Sequence, residues 1–296
     1  MPWLYCTCPD GAKVAFPECL ACTRECLDLE VREALFDHEA NQDPSHTGSN
    51  ISVTALLGCL RANYLERITP YAATPESRWY SLRGDLIHRL LERNNGDSTR
   101  LCETTLEATL GGVKLTGRID AYQQTFLRRG ILKDWKSIGD NGLQYIVYEG
   151  AKQDHIWQTN IYAWLARQNG YPVTSIQIAY LSLMQIVKTG TVTRFYEYLK
   201  QPPGRSGKRA SMIAPPTQVK TYPSGMSKWL CYYQVPSVPL YDHIVIEEFL
   251  VERLLTMERA FQTGAIPPMA DSETRKWKCE DYCHVNALCA QIEGKE

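Results

Sequence analysis

Two short acidic motifs on neighbouring strand-like segments carry the strongest chemical signal in the chain. They are Gly117-Arg-Ile-Asp120 and Asp134-Trp-Lys136. If the two segments pair in a sheet, Asp120 and Asp134 can meet at one end, and Lys136 leaves the same face of its strand as Asp134. Two carboxylates and a strand carbonyl suit a hard divalent cation, Mg²⁺ or Mn²⁺. A lysine beside them can hold and polarise an attacking water and offset charge on a phosphorane-like transition state.

Two further motifs flank this pair. Gly84-Asp-Leu-Ile-His88 places a histidine on a helix before the strands, and Gln158-Thr-Asn-Ile-Tyr162 places two polar groups at i and i+4 on one face of a later helix. Each motif alone has an ordinary explanation: an exposed strand face for Asp-x-Lys, a core or capping role for His88, an amphipathic helix surface for Tyr162. Such explanations are hard to sustain for all of them together.

The hydrophobic periodicity predicts which elements position these residues. The predicted helices cover 52–68, 78–93, 151–169 and 241–262, and the predicted strands cover 101–110, 113–122, 131–138, 175–187 and 192–199. Gly111-Gly112 predicts a tight hairpin turn between the first two strands. The order of elements predicts the α/β class, as an α+β mixed sheet flanked by helices.

The four motifs in this order, Gly-x-x-x-His, Gly-x-x-Asp, Asp-x-Lys and Gln-x-x-x-Tyr, resemble the RecB-like branch of the PD-(D/E)XK nuclease superfamily. The resemblance spans roughly residues 52–185. It implies a restriction-endonuclease-like core in which Lys136 is the catalytic lysine. The metal ligands that it implies are His88, Asp120, Asp134 and the backbone carbonyl of Trp135. It also implies that Gln158 and Tyr162 position the DNA backbone or the lysine.

Four cysteines bracket this core: Cys59 before it, and Cys279, Cys283 and Cys289 near the C-terminus. One distant and three clustered cysteines resemble the iron–sulfur subset of these nucleases, which includes the CRISPR-associated RecB-like exonucleases and the AddB subunit. The resemblance implies a 4Fe-4S cluster that clasps the last segment to the first helix of the domain. The spacing Cys279-x3-Cys283 is one residue longer than the usual pattern, so tetrahedral zinc on the same thiolates is the competing interpretation, with His284 as a substitute ligand.

A second cysteine group lies in the N-terminal 45 residues. Cys6-x-Cys8 and Cys19-x2-Cys22 are spaced for a structural zinc site, and Cys26, His38 or His46 can replace a ligand. The alternative is a loosely ordered leader with thiols that bind no metal. The polar, turn-forming stretch 41–50 reads as a linker, so we expect a cysteine-rich extension over 1–45 and a nuclease domain over 51–296.

The composition limits the function classes. The 296 residues contain 32 Lys+Arg and 33 Asp+Glu, which excludes a polycationic nucleic-acid coat, and eleven cysteines, which in an intracellular chain favour metal or cluster ligation. No apolar run is long enough to span a bilayer and no signal peptide is apparent, so we expect a cytoplasmic protein without membrane partners. The stretch 198–241 has no Asp or Glu but several basic and aromatic residues, which suits single-stranded nucleic acid or an ordinary surface loop.

These observations lead to an expected function. The chain is interpreted as a Mg²⁺- or Mn²⁺-dependent DNA exonuclease directed to single strands or duplex ends. The sequence does not decide whether it also has endonuclease activity. The resemblance implies one of two settings. In CRISPR adaptation the partner would be an integrase, and in phage or plasmid DNA metabolism it would be a recombination or replication protein. The alternative is a non-catalytic DNA- or protein-binding module of the same fold that acts in assembly. Arg61, Arg83, Arg89 and Arg118 are additional candidates for contacts near the site.

Overall fold

The structure is a computed structural model, and it describes the larger part of the chain. The described residues are 3–8, 10–23, 29, 32–33, 51–73, 84–89, 100–125, 129–138, 146, 149–182, 233–270, 279 and 283–294. The predicted strand 192–199, the linker 41–50 and most of the acid-free stretch 198–241 lie outside them.

The strands and helices alternate along the chain as follows. The strands are β1 (Trp3–Thr7), β2 (Lys13–Ala15), β3 (Ile51–Ser52), β4 (Tyr71–Ala73), β5 (Arg100–Leu110), β6 (Val113–Gln124), β7 (Gly130–Ile138), β8 (Ser175–Ser182) and β9 (Tyr233–Gln234). The helices are α1 (Phe16–Leu20), α2 (Val53–Leu57), α3 (Leu60–Ile68), α4 (Gln153–Gln168), α5 (His243–Thr263) and α6 (Asn286–Glu293). Residues 84–89 are also helical.

The chain divides into two compact units. One contains residues 1–86, 107–117 and 243–296, and the other contains 87–106 and 118–242. The first unit contains the N-terminal cysteines, Cys59 and the C-terminal cysteines. The second unit contains the acidic site, with His88, Asp120, Asp134, Lys136, Gln158 and Tyr162; only residues 84–86 and Gly117 of the four motifs belong to the first unit.

The second unit is built on a mixed sheet. β6 and β7 are antiparallel, with pairing that runs from Gln124–Gly130 to Ala121–Lys133. β7 and β8 are parallel over their full lengths, with α4 between them in the chain, and β8 pairs antiparallel with β9. The central side chains are almost completely buried, among them Ile119, Leu132, Ile161, Leu165, Ile178 and Tyr180. The predicted α/β class, a mixed sheet with flanking helices, is therefore confirmed.

A glycine allows one close approach in this sheet. A Cβ atom at Gly130 would lie 1.8 Å from the carbonyl oxygen of Pro172. The neighbouring backbone fixes this contact, because Thr174 N–H donates to the Gly130 carbonyl at 2.8 Å. Only glycine fits at the start of β7, where the chain from α4 returns to the sheet.

The first unit combines a small sheet with helices. β1 pairs antiparallel with β2 and parallel with β4, and β3 runs parallel to residues 115–116 of β6. α5 carries its apolar residues at helical spacing, and Ile246, Leu250 and Leu254 are fully buried. This periodicity explains why the predicted last helix, 241–262, is observed at nearly the same bounds.

The predicted hairpin is present, since β5 and β6 pair on either side of Gly111 and Gly112. Both glycines have positive φ, 60° and 84°, as the tight turn between antiparallel strands requires. The other predicted bounds shift by a few residues at most, and the described parts of the predicted helix 78–93 and strand 175–187 are 84–89 and 175–182.

The predicted helix 52–68 is wrong in one respect, because it is two helices. α2 ends at Leu57 and α3 starts at Leu60, with Gly58 extended and Cys59 as the N-cap. Side chains satisfy the carbonyls freed at the break: Arg253 donates to the carbonyls of Leu56 and Gly58, and Asn63 Nδ2 donates to Ala55 and Cys59. The break places Cys59 at the start of α3 instead of in the interior of a helix.

No helix among the described residues is long and apolar enough to cross a membrane.

Candidate active site

Asp120 and Asp134 lie where the ladder between β6 and β7 stops. The last pair is Ala121–Lys133, so these aspartates are the next residues along the two strands. Both are buried, with 7% of Asp120 and 1% of Asp134 exposed. The Trp135 backbone N–H donates to Asp120 Oδ2 at 2.6 Å. Burial, together with the neighbouring charge of Asp134, raises the pKa of Asp120 to about 7.

Lys136 provides the positive charge next to this pair. Its Nζ lies 3.0 Å from Asp134 Oδ1, to which it donates a hydrogen bond, and 2.9 Å from Oδ2. Burial alone would lower the pKa of Lys136, but the carboxylates of Asp134 and Asp120 outweigh it, and the pKa lies above its ordinary value. Lys136 is therefore a hydrogen-bond donor with a fixed positive charge, not a general base.

Gln158 and Tyr162 share one face of α4, as their i, i+4 spacing predicts. Gln158 Nε2 donates to the Tyr162 hydroxyl oxygen at 3.0 Å. Tyr162 is buried, and burial raises its pKa to about 12 although the nearby charge of Lys136 acts in the opposite direction. The tyrosine keeps its proton at neutral pH and is close enough to Lys136 for their charges to interact.

His88 lies close to three groups, the carboxylates of Glu103 and Asp120 and the backbone carbonyl of Trp135. Its Nδ1 lies 3.1 Å from Glu103 Oε1 and 3.7 Å from Asp120 Oδ1, and its Nε2 lies 3.1 Å from the Trp135 carbonyl oxygen. The Trp135 ring meets the imidazole edge-on, with centroids 6.1 Å apart. Burial alone would lower the pKa of His88. The carboxylates of Glu103 and Asp120 outweigh this effect, and the pKa is raised to about 9.

Glu103 is a functional candidate that the sequence patterns miss. Its carboxylate is 7% exposed and accepts from Arg118 Nε at 2.6 Å. Together with His88 and Asp120 it forms a group whose ligand atoms all lie within 4.8 Å of one another. Its φ of +45° is the one positive value at a non-glycine residue within the described part of the chain. No spacing rule points to it, because it lies on β5 outside every motif.

The donor set fits a hard divalent cation. Asp134 Oδ2 is buried and has no hydrogen bond of acceptable geometry within the described residues, although Lys136 Nζ is 2.9 Å away. His88 Nε2 and the Trp135 carbonyl oxygen are 3.1 Å apart. Adjacent ligands of an octahedral Mg²⁺, each about 2.1 Å from the ion, are separated by about 3.0 Å. An unsatisfied carboxylate oxygen beside two donors at this separation is the environment that Mg²⁺ or Mn²⁺ stabilises.

His155 is a second titratable group absent from the sequence predictions. It lies on α4 one turn before Gln158, and its Nδ1 is 2.8 Å from the Tyr180 hydroxyl. The same hydroxyl accepts from the Lys152 backbone N–H at 3.2 Å, so it donates its own proton to Nδ1. Burial, and then the charges of Lys136 and Lys152, lower the pKa of His155 to about 3. It is a neutral imidazole near the catalytic lysine candidate.

The C-terminal cysteines and Cys59 lie in one region of the first unit. Burial, and then the charges of Glu66, Cys279 and Cys59, raise the pKa of Cys283 to about 11. Arg61 Nη1 is 3.9 Å from Cys289 Sγ. No three of these sulfurs lie within 4.8 Å of one another in the described residues. Zinc with bonds of about 2.3 Å needs its thiolates about 3.8 Å apart, whereas a 4Fe-4S cluster separates them more widely because iron and sulfide atoms lie between them.

The N-terminal cysteines are placed differently. Cys6 and Cys19 are buried and pack against Val14, Leu20 and Tyr71 as a small apolar cluster. The buried Arg32 donates to the carbonyls of Cys19 and Cys22. Cys8 lies at the turn after β1. Among the residues that the structure covers, no three of Cys6, Cys8, Cys19 and Cys22 bring their sulfurs within 4.8 Å of one another.

The arginines suggested as DNA contacts have mixed positions. Arg61 is buried, and its Nε donates to the Pro267 carbonyl at 2.7 Å. Arg118 pairs with Glu103, and Arg89 is exposed. Arg83 lies outside the described residues, as do Trp229 and Tyr232 of the acid-free stretch. Arg61 therefore stabilises local structure instead of facing a nucleic acid.

Three comparisons with known proteins were made. The crystal structure of SSO0001 is similar at 17% identity, with a TM-score of 0.45, over 88% of this chain and 94% of that chain. Comparison with curated proteins gives no match. Residues 53–290 match the family model of the PD-(D/E)XK nuclease superfamily. That match covers most of the chain, and it includes every residue of the acidic site. The chain therefore belongs to the PD-(D/E)XK nuclease superfamily, whose members are generally nucleases that use divalent metals.

Proposed function

We propose that this chain is a metal-dependent deoxyribonuclease, an exonuclease that acts on DNA single strands or duplex ends. The observation that carries the proposal is the buried pair Asp120–Asp134, of which Lys136 contacts Asp134 at 2.9–3.0 Å, in a chain of a nuclease superfamily. Buried carboxylates that face each other are costly unless a cation compensates them. One lysine offsets part of this charge, and the unsatisfied Asp134 Oδ2 leaves room for a second cation.

The proposed ligands of that cation are His88, Asp120, Asp134 and the Trp135 carbonyl. When bound, the cation supplies a water of lowered pKa and neutralises charge on the scissile phosphate. Lys136, protonated at neutral pH, donates hydrogen bonds to the attacking water or to a phosphoryl oxygen. Tyr162, held by Gln158, keeps its hydroxyl proton and positions the lysine or the DNA backbone.

The covalent change is an in-line hydrolysis. The water oxygen forms a bond to phosphorus while the bond from phosphorus to the 3′ oxygen breaks. The products carry a 5′-phosphate and a 3′-hydroxyl. The protein contributes the orientation of the reacting groups and a site in which a fixed positive charge is already in place.

Two further metal centres belong to the proposal, one implied by the resemblance to RecB-like nucleases and one, at the N-terminal cysteines, outside that resemblance. We propose a structural 4Fe-4S cluster on Cys59, Cys279, Cys283 and Cys289, supported by the electrostatic proximity of Cys59, Cys279 and Cys283. The domain division at 1–45 and 51–296, with zinc on Cys6, Cys8, Cys19 and Cys22, is proposed on sequence spacing alone. The proposed setting is CRISPR adaptation or recombination and replication of phage or plasmid DNA, with an integrase or a recombination protein as partner.

The nuclease proposal is tested with oligonucleotides labelled at the 5′ or the 3′ end, as single strands and as duplexes, in Mg²⁺ or Mn²⁺. We expect cation-dependent degradation by the wild type and a loss of about 10³-fold in Asp134→Asn and in Lys136→Met. Lys133→Met is the matched control, because it makes the same change on the same strand but on its opposite face. The two labels also give the polarity of degradation.

Cleavage by Asp134→Asn and Lys136→Met at the wild-type rate would refute the proposed site. DNA binding without cleavage by the wild type in either cation would instead favour the non-catalytic assembly module.

A further inference from the structure

Both ring nitrogens of His88 have a partner, and the two partners differ in kind. Nδ1 lies 3.1 Å from Glu103 Oε1, and Nε2 lies 3.1 Å from the Trp135 carbonyl oxygen. Glu103 is outside the proposed ligand set, whereas the Trp135 carbonyl is a proposed ligand. Nδ1 also lies 3.7 Å from Asp120 Oδ1, beyond hydrogen-bond distance. The Nδ1 side of the imidazole thus contacts Glu103 most closely, and the Nε2 side faces a proposed ligand of the cation.

The chemistry of Glu103 decides which nitrogen keeps its proton when His88 binds a cation. An ionised carboxylate accepts hydrogen bonds and donates none, so the proton in this contact belongs to Nδ1. The Trp135 carbonyl is also only an acceptor, so Nε2 is protonated as well before a cation binds; a cation at Nε2 would displace that proton and leave the Nδ1 proton on the Glu103 side. Carboxylates that accept from the second nitrogen of a metal-bound histidine fix its tautomer and ring orientation in many metal sites.

Glu103 is itself held in place by three independent features. Arg118 Nε donates to its other oxygen, Oε2, at 2.6 Å. Its carboxylate is 7% exposed, and its backbone has φ of +45°, a conformation that costs a non-glycine residue about 1 kcal/mol or more. Strain of this kind persists where the surrounding contacts fix the residue, and here those contacts are His88 and Arg118.

The contacts also separate a supporting role from direct coordination. Each oxygen of Glu103 already accepts a hydrogen bond, Oε1 from His88 and Oε2 from Arg118. Asp134 Oδ2, in contrast, is buried 2.9 Å from Lys136 Nζ but has no hydrogen bond of acceptable geometry. The carboxylate oxygen with capacity for a further ligand is therefore on Asp134, whereas both oxygens of Glu103 already accept from its neighbours.

We propose that Glu103, fixed by Arg118, is a positioning residue that holds His88 in the Nδ1–H tautomer with Nε2 directed at the divalent cation. This inference rests on the proposed metal site. It assigns a role in cation binding to a residue of β5 that belongs to none of the four motifs.

The test is a calorimetric titration of the full chain with Mn²⁺. Removing a supporting partner of a metal-bound histidine typically weakens the metal 10- to 100-fold, so Glu103→Ala is expected to raise the Mn²⁺ dissociation constant by that factor. Glu103→Gln keeps an oxygen that accepts from Nδ1–H and nearly the same shape, so it is expected to recover part of the loss. Glu107→Ala is the matched control, because Glu107 lies on the same strand in an exposed pair with Lys114.

A double-mutant cycle with His88→Ala separates positioning from coordination. If Glu103 acts through His88, Glu103→Ala causes no additional loss of Mn²⁺ affinity in the His88→Ala background. An equal loss in both backgrounds would overturn the positioning role and make Glu103 a direct ligand. Wild-type affinity in Glu103→Ala, or Glu103→Gln no better than Glu103→Ala, would overturn it as well.

Nitrogen-15 spectra of the histidine rings with Mg²⁺ bound add a readout that a purely structural role would not change. We expect His88, assigned by its absence in His88→Ala, to carry its proton on Nδ1 in the wild type and to lose this preference in Glu103→Ala. An Nε2–H tautomer in the wild type would refute the inference. A wild type that binds no Mn²⁺ would refute the metal site itself, whereas normal wild-type binding with an unaffected Glu103→Ala refutes the role of Glu103 alone.

Discussion

The acidic site and the cysteine-bearing region use their cationic side chains differently. In the acidic site Lys136 and His88 lie beside buried carboxylates, and Asp134 Oδ2, 2.9 Å from Lys136 Nζ, still has no hydrogen bond of acceptable geometry. In the cysteine-bearing region, Arg61 and Arg253 donate to backbone carbonyls, and the carboxylate 3.8 Å from Arg61, that of Glu293, is 45% exposed. The first arrangement leaves charge for a ligand to compensate, whereas the second satisfies irregular backbone.

This difference predicts a separation of effects. Substitutions in the acidic site should reduce cation binding and cleavage more than folding, because two like charges there already oppose each other. Substitutions near the cysteines should reduce stability more than chemistry, because the arginines there donate to the backbone carbonyls of Leu56, Gly58 and Pro267.

The largest expected effect on stability comes from a proposed cluster ligand. Cys283→Ser should abolish the visible iron–sulfur absorbance of anaerobically prepared protein and lower the free energy of unfolding by several kcal/mol, because binding energy at a structural metal centre contributes directly to folding. Iron content and chemical denaturation measure both changes. Cys102→Ser, outside the set of four, serves as the control.

A colourless wild type that contains stoichiometric zinc would show that these cysteines bind zinc and not an iron–sulfur cluster. Cys283→Ser with unchanged metal content and stability would contradict both centres.

An intermediate effect is expected at Arg253. Its guanidinium donates to the carbonyls of Leu56 and Gly58, which the break between α2 and α3 leaves without helical partners. Hydrogen bonds from charged groups contribute about 1.5–3 kcal/mol each, so Arg253→Ala should lower the free energy of unfolding by about 3 kcal/mol. Cleavage per folded molecule should not change.

Arg259→Ala, an exposed arginine on the same helix, should shift stability by less than about 0.5 kcal/mol. An equal loss in the two variants would show that the contacts of Arg253 with the break are unimportant.

The smallest expected effect is the pH dependence that His155 imposes on the second unit. Its folded-state pKa of about 3 lies below the ordinary value of 6.5, so the unfolded chain binds the proton first as the pH falls. The contribution of His155 is therefore present above pH 6.5 and is lost below it, by about 2 kcal/mol between pH 8 and pH 5. Denaturation of the wild type and His155→Gln across this range measures it as a difference. A difference that stays constant from pH 8 to pH 5 would contradict the buried neutral state.

The parts of the site that the sequence predicts are those that local rules control. Asp120 and Asp134 meet because β6 and β7, the strands that carry the two motifs, pair antiparallel in the sheet, and Gln158 meets Tyr162 because a helix brings i and i+4 together. Glu103 could not be found this way, since its position depends on a positive φ and on contacts with His88 and Arg118.

The fold follows the same division. The periodicity of α5 and the Gly111-Gly112 turn are local and were predictable. The break at Gly58 and Cys59 was not, because Arg253 satisfies its carbonyls from 195 residues away in the chain. Sequence patterns thus predict elements that residues near in the chain determine, such as α5 and the Gly111-Gly112 turn. They do not predict a break that a side chain distant in the sequence stabilises.

The central claim is that His88, Asp120, Asp134 and the Trp135 carbonyl hold a divalent cation beside Lys136. The most direct measurement is the anomalous scattering of Mn²⁺ in crystals of the full chain, from the wild type and Asp134→Asn. The account predicts one strong peak in the wild type within about 2.0–2.3 Å of both aspartate carboxylates, and its loss in Asp134→Asn. A wild type with no peak at these carboxylates, or with a peak that Asp134→Asn leaves in place, would contradict it.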